Sequence, residues 1–256
     1  ISACLVGSEM CIRDSFSKTL NMATALRVIL PDEGELGAAN TVYLLHGLSD
    51  NSSGWTRYTA VEQYARERGL AVVMPEVQRS FYADMAAGLD YFGYVAVELP
   101  AMCERMFGLP HERTKRYVMG LSMGGYGALK CALTYPERYA GVGSFSGVVD
   151  IRRPVYSVKT PAGAREREAI FGAGSPEGTK NDLYRLAQDV FDEKKSFPDI
   201  YLSCGEQDGL YEDNVKFDAF LTTLGAKHRF DHRAGAHSWR FWNDSVEECF
   251  GYFLGK

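Results

Sequence analysis

The stretch Gly120-Leu121-Ser122-Met123-Gly124-Gly125 constrains this chain more than any other. It has the spacing G-x-S-x-G, with a short apolar run before it (residues 116–119) and an Ala- and Leu-rich run after it (residues 125–135). A strand that turns into a helix at a serine brings the chain on either side of that serine close together. The flanking positions must then lack side chains, and Gly120 and Gly124 meet that demand. Gly127 lets the following helix lie close against a sheet. Such a turn strains the serine backbone and presents its hydroxyl at the strand end, so Ser122 is the candidate nucleophile. Without a strand before and a helix after, the pattern would be an ordinary Gly-rich turn.

The rest of the chain alternates in the same way. Strand patterns fall at residues 25–31, 41–46, 70–75, 140–147, 199–205 and 228–233. Helical patterns fall at 59–68, 91–107, 182–192, 215–224 and 238–253, with Pro100 expected to kink or break the second. Parallel strands need crossover helices, so the expected fold is α/β, a mostly parallel central sheet with helices on both faces. The chain has 256 residues, 46% of them hydrophobic, which suits one domain with an ample core. Residues 1–14 show neither strand alternation nor a helical stripe, and Val6 to Ser15 resembles translated adapter sequence. They are expected to lie outside the fold, as a non-native segment that could have replaced a signal peptide. Residues 15–256 then form a single domain, with an irregular, charged insertion at about 148–178.

Net charge is −5, which offers no basic face to nucleic acid and no polybasic membrane anchor. No apolar run approaches the roughly 18–20 residues that a bilayer span needs. The six cysteines form no C-x-x-C pair and no metal-like spacing with histidine, so neither zinc nor a disulfide framework is expected, and a cytoplasmic location is favoured.

Chemistry then turns on what can activate Ser122. A serine hydroxyl is a weak nucleophile at neutral pH and needs a base within hydrogen-bond reach. Of five histidines, His111 sits in a charged turn, His228 and His232 sit within a strand, and His46 ends one. His237, in the turn Gly235-Ala236-His237-Ser238-Trp239, follows the last strand and is the candidate base; the alternative is a histidine that merely packs on Trp239. Asp208, past the strand at 199–205, is the favoured carboxylate to orient it, with Asp150 and Asp213 as competitors. The order Ser, Asp, His is that of an α/β-hydrolase. Two backbone N–H groups should stabilise an oxyanion, that of Met123 after the nucleophile and that of Leu48 in the turn after His46. Trp55, Phe81, Tyr82, Trp239 and Trp242 lie near strand ends and could wall a compact substrate pocket, ordinary core packing being the alternative for each.

Several stretches beyond the serine turn resemble one family. They are His46-Gly47-Leu48-Ser49-Asp50-Asn51-Ser52-Ser53-Gly54-Trp55, Ser80-Phe81-Tyr82-Ala83-Asp84-Met85, Glu98-Leu99-Pro100, Cys204-Gly205-Glu206-Gln207-Asp208 and Gly235-Ala236-His237-Ser238-Trp239. In this order they resemble the esterase D and tributyrin-esterase family of α/β-hydrolases, which includes S-formylglutathione hydrolases and acetyl-xylan and feruloyl esterases. The resemblance implies a cofactor-free serine carboxylesterase acting on small-molecule esters, with no metal; the charged insertion and the aromatic residues near the strand ends point to short-chain or small aromatic acyl groups. A thioesterase of the S-formylglutathione hydrolase type is the alternative within the class, and a non-catalytic hydrolase-fold binding protein the alternative outside it. A homo-oligomer is compatible with either, and neither a nucleic-acid nor a membrane partner is expected.

Overall fold

The computed structural model describes residues 9–31, 36–152 and 160–255, with side chains from Ser15 onward. Its frame is one sheet with the strands β1 (Glu9–Ser17), β2 (Met22–Leu30), β3 (Thr41–Leu45), β4 (Ala71–Pro75), β5 (Arg116–Leu121), β6 (Gly141–Phe145), β7 (Asp199–Gly205) and β8 (His228–Arg233). They lie in the order β1-β2-β4-β3-β5-β6-β7-β8. β1, β2 and β4 pair antiparallel; from β4 to β8 all neighbours are parallel.

The helices are α1 (Gly54–Tyr58), α2 (Val61–Glu67), α3 (Tyr91–Gly93), α4 (Leu99–Phe107), α5 (Met123–Thr134), α6 (Pro161–Phe171), α7 (Leu183–Asp192), α8 (Tyr211–Thr223) and α9 (Trp239–Leu254). Every residue of β3, β4, β5 and β6 is buried, as a parallel sheet covered on both faces requires. Successive side chains point to opposite faces. Tyr43, Leu45, Val73 and Val118 therefore join the core under α4, α5, α7 and α8. Val42, Leu44, Val72, Met119 and Phe145 join the core under α2 and α9. No described helix is long and apolar enough to cross a membrane.

Three local features of the helices have visible causes. The helix expected at 59–68 is α2, and a separate helix, α1, precedes it; between them Thr59 is extended (φ −135°, ψ 169°). Its hydroxyl joins its own N–H in donating to the Trp55 carbonyl and accepts the Val61 N–H, so one side chain ends α1 and starts α2. The break expected at Pro100 in the helix at 91–107 takes the form of a π turn, Tyr94–Glu98, just before that proline. Pro100 has no N–H for the carbonyl of Ala96, and Arg138 Nη1 bonds that oxygen instead at 3.2 Å. The insertion, read as irregular, holds α6, started by Thr160 accepting the Gly163 N–H at 3.2 Å with Pro161 at the first helical position. Arg153 and Lys159, two charges of that insertion, lie outside the described residues.

The N-terminus needs a correction. Residues 9–14, expected to stand apart from the fold, continue β1 and pair with β2 from Glu9↔Leu30 to Asp14↔Ala25. An edge strand needs only backbone N–H and C=O groups on its partner, so it forms without the side-chain alternation that a buried strand shows. The hairpin is tied to the body by Glu98. Its carboxylate accepts Ser17 Oγ at 2.6 Å, the Lys18 N–H at 2.7 Å and the Thr19 N–H at 3.0 Å. Burial opposes its charge, but these three donors prevail and hold the carboxyl below its usual range. Glu98→Ala should therefore cost about 2 kcal/mol, a fall of about 4–8 °C in Tm for a chain of this size. The contribution is present at neutral pH and is lost as pH falls through the depressed pKa of Glu98, so thermal melts at both ends of that range check the sign.

Candidate active site

The parallel strands deliver the candidate residues to one edge. His46 follows β3, Ser122 follows β5, Asp208 lies three residues past β7, and His237 lies in the loop between β8 and α9. This is the carboxyl edge of the sheet, where open α/β folds collect ligand-binding loops.

Ser122 has φ 53° and ψ −115°, the strained turn foreseen from its flanking glycines. Its N–H donates to the Phe145 carbonyl at 2.8 Å, which ties the turn to β6. His237 Nε2 lies 3.1 Å from Ser122 Oγ, and His237 Nδ1 lies 2.8 Å from Asp208 Oδ2. A carboxylate only accepts, so Nδ1 carries the proton and Nε2 is left as the acceptor facing the serine. Asp208 Oδ1 accepts the Leu210 N–H at 2.9 Å. Burial would raise the Asp208 pKa, yet the His237 hydrogen bond and charge, the Leu210 N–H and the Ser146 hydroxyl hold it below the ordinary carboxylate range. Asp208 thus stays ionised beside the imidazole.

The competing residues lie elsewhere. Asp150 is engaged by Arg152 Nε at 2.7 Å, and Asp213 is buried in the first turn of α8. His228 is bonded to Asp218 at 3.0 Å and His232 to Glu206 at 3.2 Å.

Two residues important to this geometry were not visible in the sequence. Gln207 accepts the Gly235 N–H on Oε1 at 2.7 Å, while its own N–H donates to the Gly235 carbonyl at 2.9 Å. These bonds join the Asp208 loop to the His237 loop. Ser146 has φ 46°, and its Oγ accepts the Trp242 indole N–H at 3.1 Å as well as meeting Asp208. The Trp242 ring then stands edge-on to the His237 ring at 4.8 Å. A serine at the end of β6 was the available signal, but nothing in the sequence says that it faces Asp208.

The two backbone donors expected for an oxyanion also lie at this edge. Met123 is the first residue of α5, where helical N–H groups have no intrahelical acceptor and the helix dipole is positive. Leu48 follows Gly47, whose carbonyl faces His46 Nδ1 at 2.8 Å and accepts the Asp50 N–H at 3.2 Å. His46 Nε2 accepts the Val77 N–H at 3.2 Å, so Nδ1 is the protonated nitrogen and donates to Gly47; Glu76 lies farther, at 3.5 Å. Across a trans peptide the N–H points away from the C=O. Pinning the Gly47 carbonyl therefore turns the Leu48 N–H the other way.

The aromatic residues expected to wall a pocket separate into two groups. Trp55 is 1% exposed with its indole N–H on the Leu45 carbonyl at 3.1 Å, and Tyr82 is 0% exposed with its hydroxyl on the His46 carbonyl. Both are core residues behind the site. Phe81 is buried against Tyr126 and Phe171. Trp239 is half-buried, edge-on to both Trp55 and Trp242 at 5.4 Å, and with Trp242 stands on the His237 side. Among the described residues no group of His, Cys, Asp and Glu is arranged to hold a metal ion.

Comparison with known proteins agrees with this geometry. Residues 17–252 match the sequence profile of the Esterase family. The chain is 30% identical over 250 residues to an acetyl esterase of Caldicellulosiruptor saccharolyticus, covering 92% of this chain and 94% of that protein. It superposes on the substrate-bound fluorophosphonate-binding serine hydrolase FphF of Staphylococcus aureus with a TM-score of 0.90, at 31% identity over 97% of this chain and 99% of that one. It also superposes on the S-formylglutathione hydrolase FrmB of Staphylococcus aureus with a TM-score of 0.88, at 32% identity and the same coverage. With its mostly parallel sheet and its serine turn, the chain has the α/β-hydrolase fold and belongs to the Esterase family, as a serine hydrolase of carboxylic esters.

Proposed function

We propose that the chain hydrolyses short-chain or small aromatic acyl esters through an acyl-enzyme on Ser122. The observation that carries this reading is the continuous hydrogen-bonded line from Ser122 Oγ through His237 to Asp208, at 3.1 and 2.8 Å. His237 Nε2 takes the hydroxyl proton as Oγ attacks the ester carbonyl carbon, and the carbonyl π electrons move onto oxygen. The N–H groups of Met123 and Leu48 receive that oxyanion. As the tetrahedral intermediate collapses, the C–O bond to the alcohol breaks and the imidazolium gives its proton to the departing oxygen. Water then repeats the sequence on the acyl-enzyme, releasing the acid and restoring Ser122. Asp208 remains a carboxylate throughout, holding the tautomer and offsetting the imidazolium charge.

Small acyl groups are favoured by the character of the helix in the insertion. α6 buries only Ile170 and leaves Arg165 and Glu168 exposed, so it presents no broad oily face of the kind an interfacial lipase shields. The length-matched acetyl esterase relative supports the same class. Across p-nitrophenyl esters, kcat/KM should be highest at acetate or butyrate and at least about tenfold lower at laurate or palmitate, because each added methylene gains about 0.8 kcal/mol only where room exists. A maximum at the long-chain end, or activation by an emulsion, overturns the small-ester reading. The second reading is a thioesterase, supported by the similarity to FrmB over nearly the whole chain. S-acylglutathiones included in the same panel separate the two by kcat/KM.

A further inference from the structure

Tyr82 raises a question that the triad does not answer. It is fully buried and sits in a left-handed backbone conformation (φ 49°) directly after Phe81 (φ 50°). Two successive non-glycine residues in that region are each costly by about 1–3 kcal/mol, so the surroundings must impose the conformation. Ser80 Oγ accepts the Tyr82 N–H at 3.1 Å. Lys130 Nζ donates to the Tyr82 carbonyl at 3.0 Å and to Asn181 Oδ1 at 2.7 Å.

Lys130 is itself unusual. It is 1% exposed on α5, both acceptors of its hydrogen bonds are neutral, and its Nζ lies 4.5 Å from the centre of the Phe92 ring. An ammonium so placed is expensive to bury, and desolvation pushes its pKa down to about 7. One turn earlier, Gly127 leaves the space that the Tyr82 ring occupies, for a Cβ there would collide with that ring. The helix that begins at the nucleophile is thus fitted to this tyrosine at two positions.

The tyrosine points at the oxyanion turn. Its hydroxyl donates to the His46 carbonyl at 2.9 Å. That carbonyl belongs to the peptide immediately before the Gly47–Leu48 peptide, whose own carbonyl is held by His46 Nδ1 and the Asp50 N–H. With two successive peptide planes pinned, the Leu48 N–H keeps one direction. We infer that Tyr82 is a positioning residue for the oxyanion turn, and that Lys130 holds Tyr82 in the strained conformation that lets it act there. The inference rests on the oxyanion role proposed for Leu48.

Tyr82→Phe tests it, since the variant removes one hydroxyl from a buried ring and keeps the packing. The readouts are kcat and KM on p-nitrophenyl acetate and the inhibition constant of a small alkylboronic acid. Its tetrahedral adduct on Ser122 places an oxygen where the oxyanion forms. The expected result is kcat lower by about 10–30-fold, KM within about twofold, and boronate affinity weakened by a factor similar to kcat. Lys130→Met should move kcat in the same direction, and the double variant should lose less than the product of the two single losses, because both act on one element. If Lys130→Met does not fold, Tyr82→Phe decides the matter alone. A raised KM with unchanged kcat would make Tyr82 a substrate contact and overturn the inference. So would a lower Tm with kcat and boronate affinity both within twofold of wild type, the signature of packing alone. If Ser122→Ala retained turnover, the acyl-enzyme reading would fall and this inference with it; if Ser122→Ala is inactive and Tyr82→Phe behaves as wild type, only this inference falls.

Discussion

Ser122→Ala should keep the fold and lower turnover of p-nitrophenyl acetate by about 10⁴–10⁶-fold, the largest effect expected of any single substitution here. The variant removes one oxygen from a buried turn whose conformation is set by Gly120, Gly124 and the bond from the Ser122 N–H to Phe145. His237→Ala should cost about as much, because the hydroxyl then has no acceptor for its proton. Asp208→Asn should cost somewhat less, about 10³–10⁴-fold, since the amide can hold the ring in the wrong tautomer while the backbone donors still act. The three losses should not multiply when combined, since the residues act as one unit. Asp150→Asn and Asp213→Asn should leave turnover within about threefold of wild type, as neither residue is hydrogen-bonded to His237. Loss of turnover in either of them, with Asp208→Asn active, would move the carboxylate role. Activity should also fall on acidification. Asp208 is held below the ordinary carboxylate range, so its support of His237 persists until pH falls through that depressed pKa.

Gly124→Ala should be the most damaging change to structure. A Cβ at this position meets the carbonyl oxygens of Leu45 and His46, and one at Gly120 meets the Gly124 backbone. Backbone atoms cannot rotate aside as side-chain ends can. The end of β3, the serine turn and the start of α5 would have to separate, carrying the Leu48 and Met123 N–H groups apart. The expected result is a Tm lower by at least about 8 °C, beyond about 2–4 kcal/mol for a chain of this size, with turnover reduced more than about 100-fold in whatever protein remains folded. Gly251→Ala is the matched control. It lies inside α9, where a Cβ meets nothing within 4 Å. That change should raise Tm slightly, because alanine is favoured over glycine in a helix by about 0.5–1 kcal/mol. Equal losses in the two variants would show that close approach at the serine turn is not what Gly124 provides.

The contrast between these glycines bears on how much the sequence alone could say. Gly120 and Gly124 declare their purpose because they flank Ser122 at fixed spacing between a strand and a helix, and that purpose is local. The same holds for the fully buried runs of β3, β4 and β5 and for the order Ser122, Asp208, His237. Each rests on residues close in the chain or on a pattern of period two or 3.6, and both are written in one dimension. Thr59 shows where local reading falls short, for the end of α1 depends on where the threonine hydroxyl goes; the break expected at Pro100 is local, and only the partner of the Ala96 carbonyl is not.

What the tertiary structure alone decided lies in contacts between distant segments. Asp208, Asp150 and Asp213 were all acids of suitable chain position, and only the first is brought to His237, by the joining of the loops through Gln207 and Gly235. Trp55 and Tyr82 have the composition of pocket walls, yet both are buried behind the site with their polar atoms on the carbonyls of Leu45 and His46. Residues 9–14 lack any pattern, and they pair with β2 because an edge offers backbone groups that any extended segment can meet. Lys130 is buried by Asn181 and Tyr82, 51 and 48 residues away in sequence, which no local pattern on its helix records. A sequence records which side chains are available and how they repeat along the chain. Which buried polar atom meets which partner is set when the sheet brings the ends of β3, β5, β7 and β8 to one edge, because desolvation then leaves each such atom to bond whatever the fold has placed within about 3 Å.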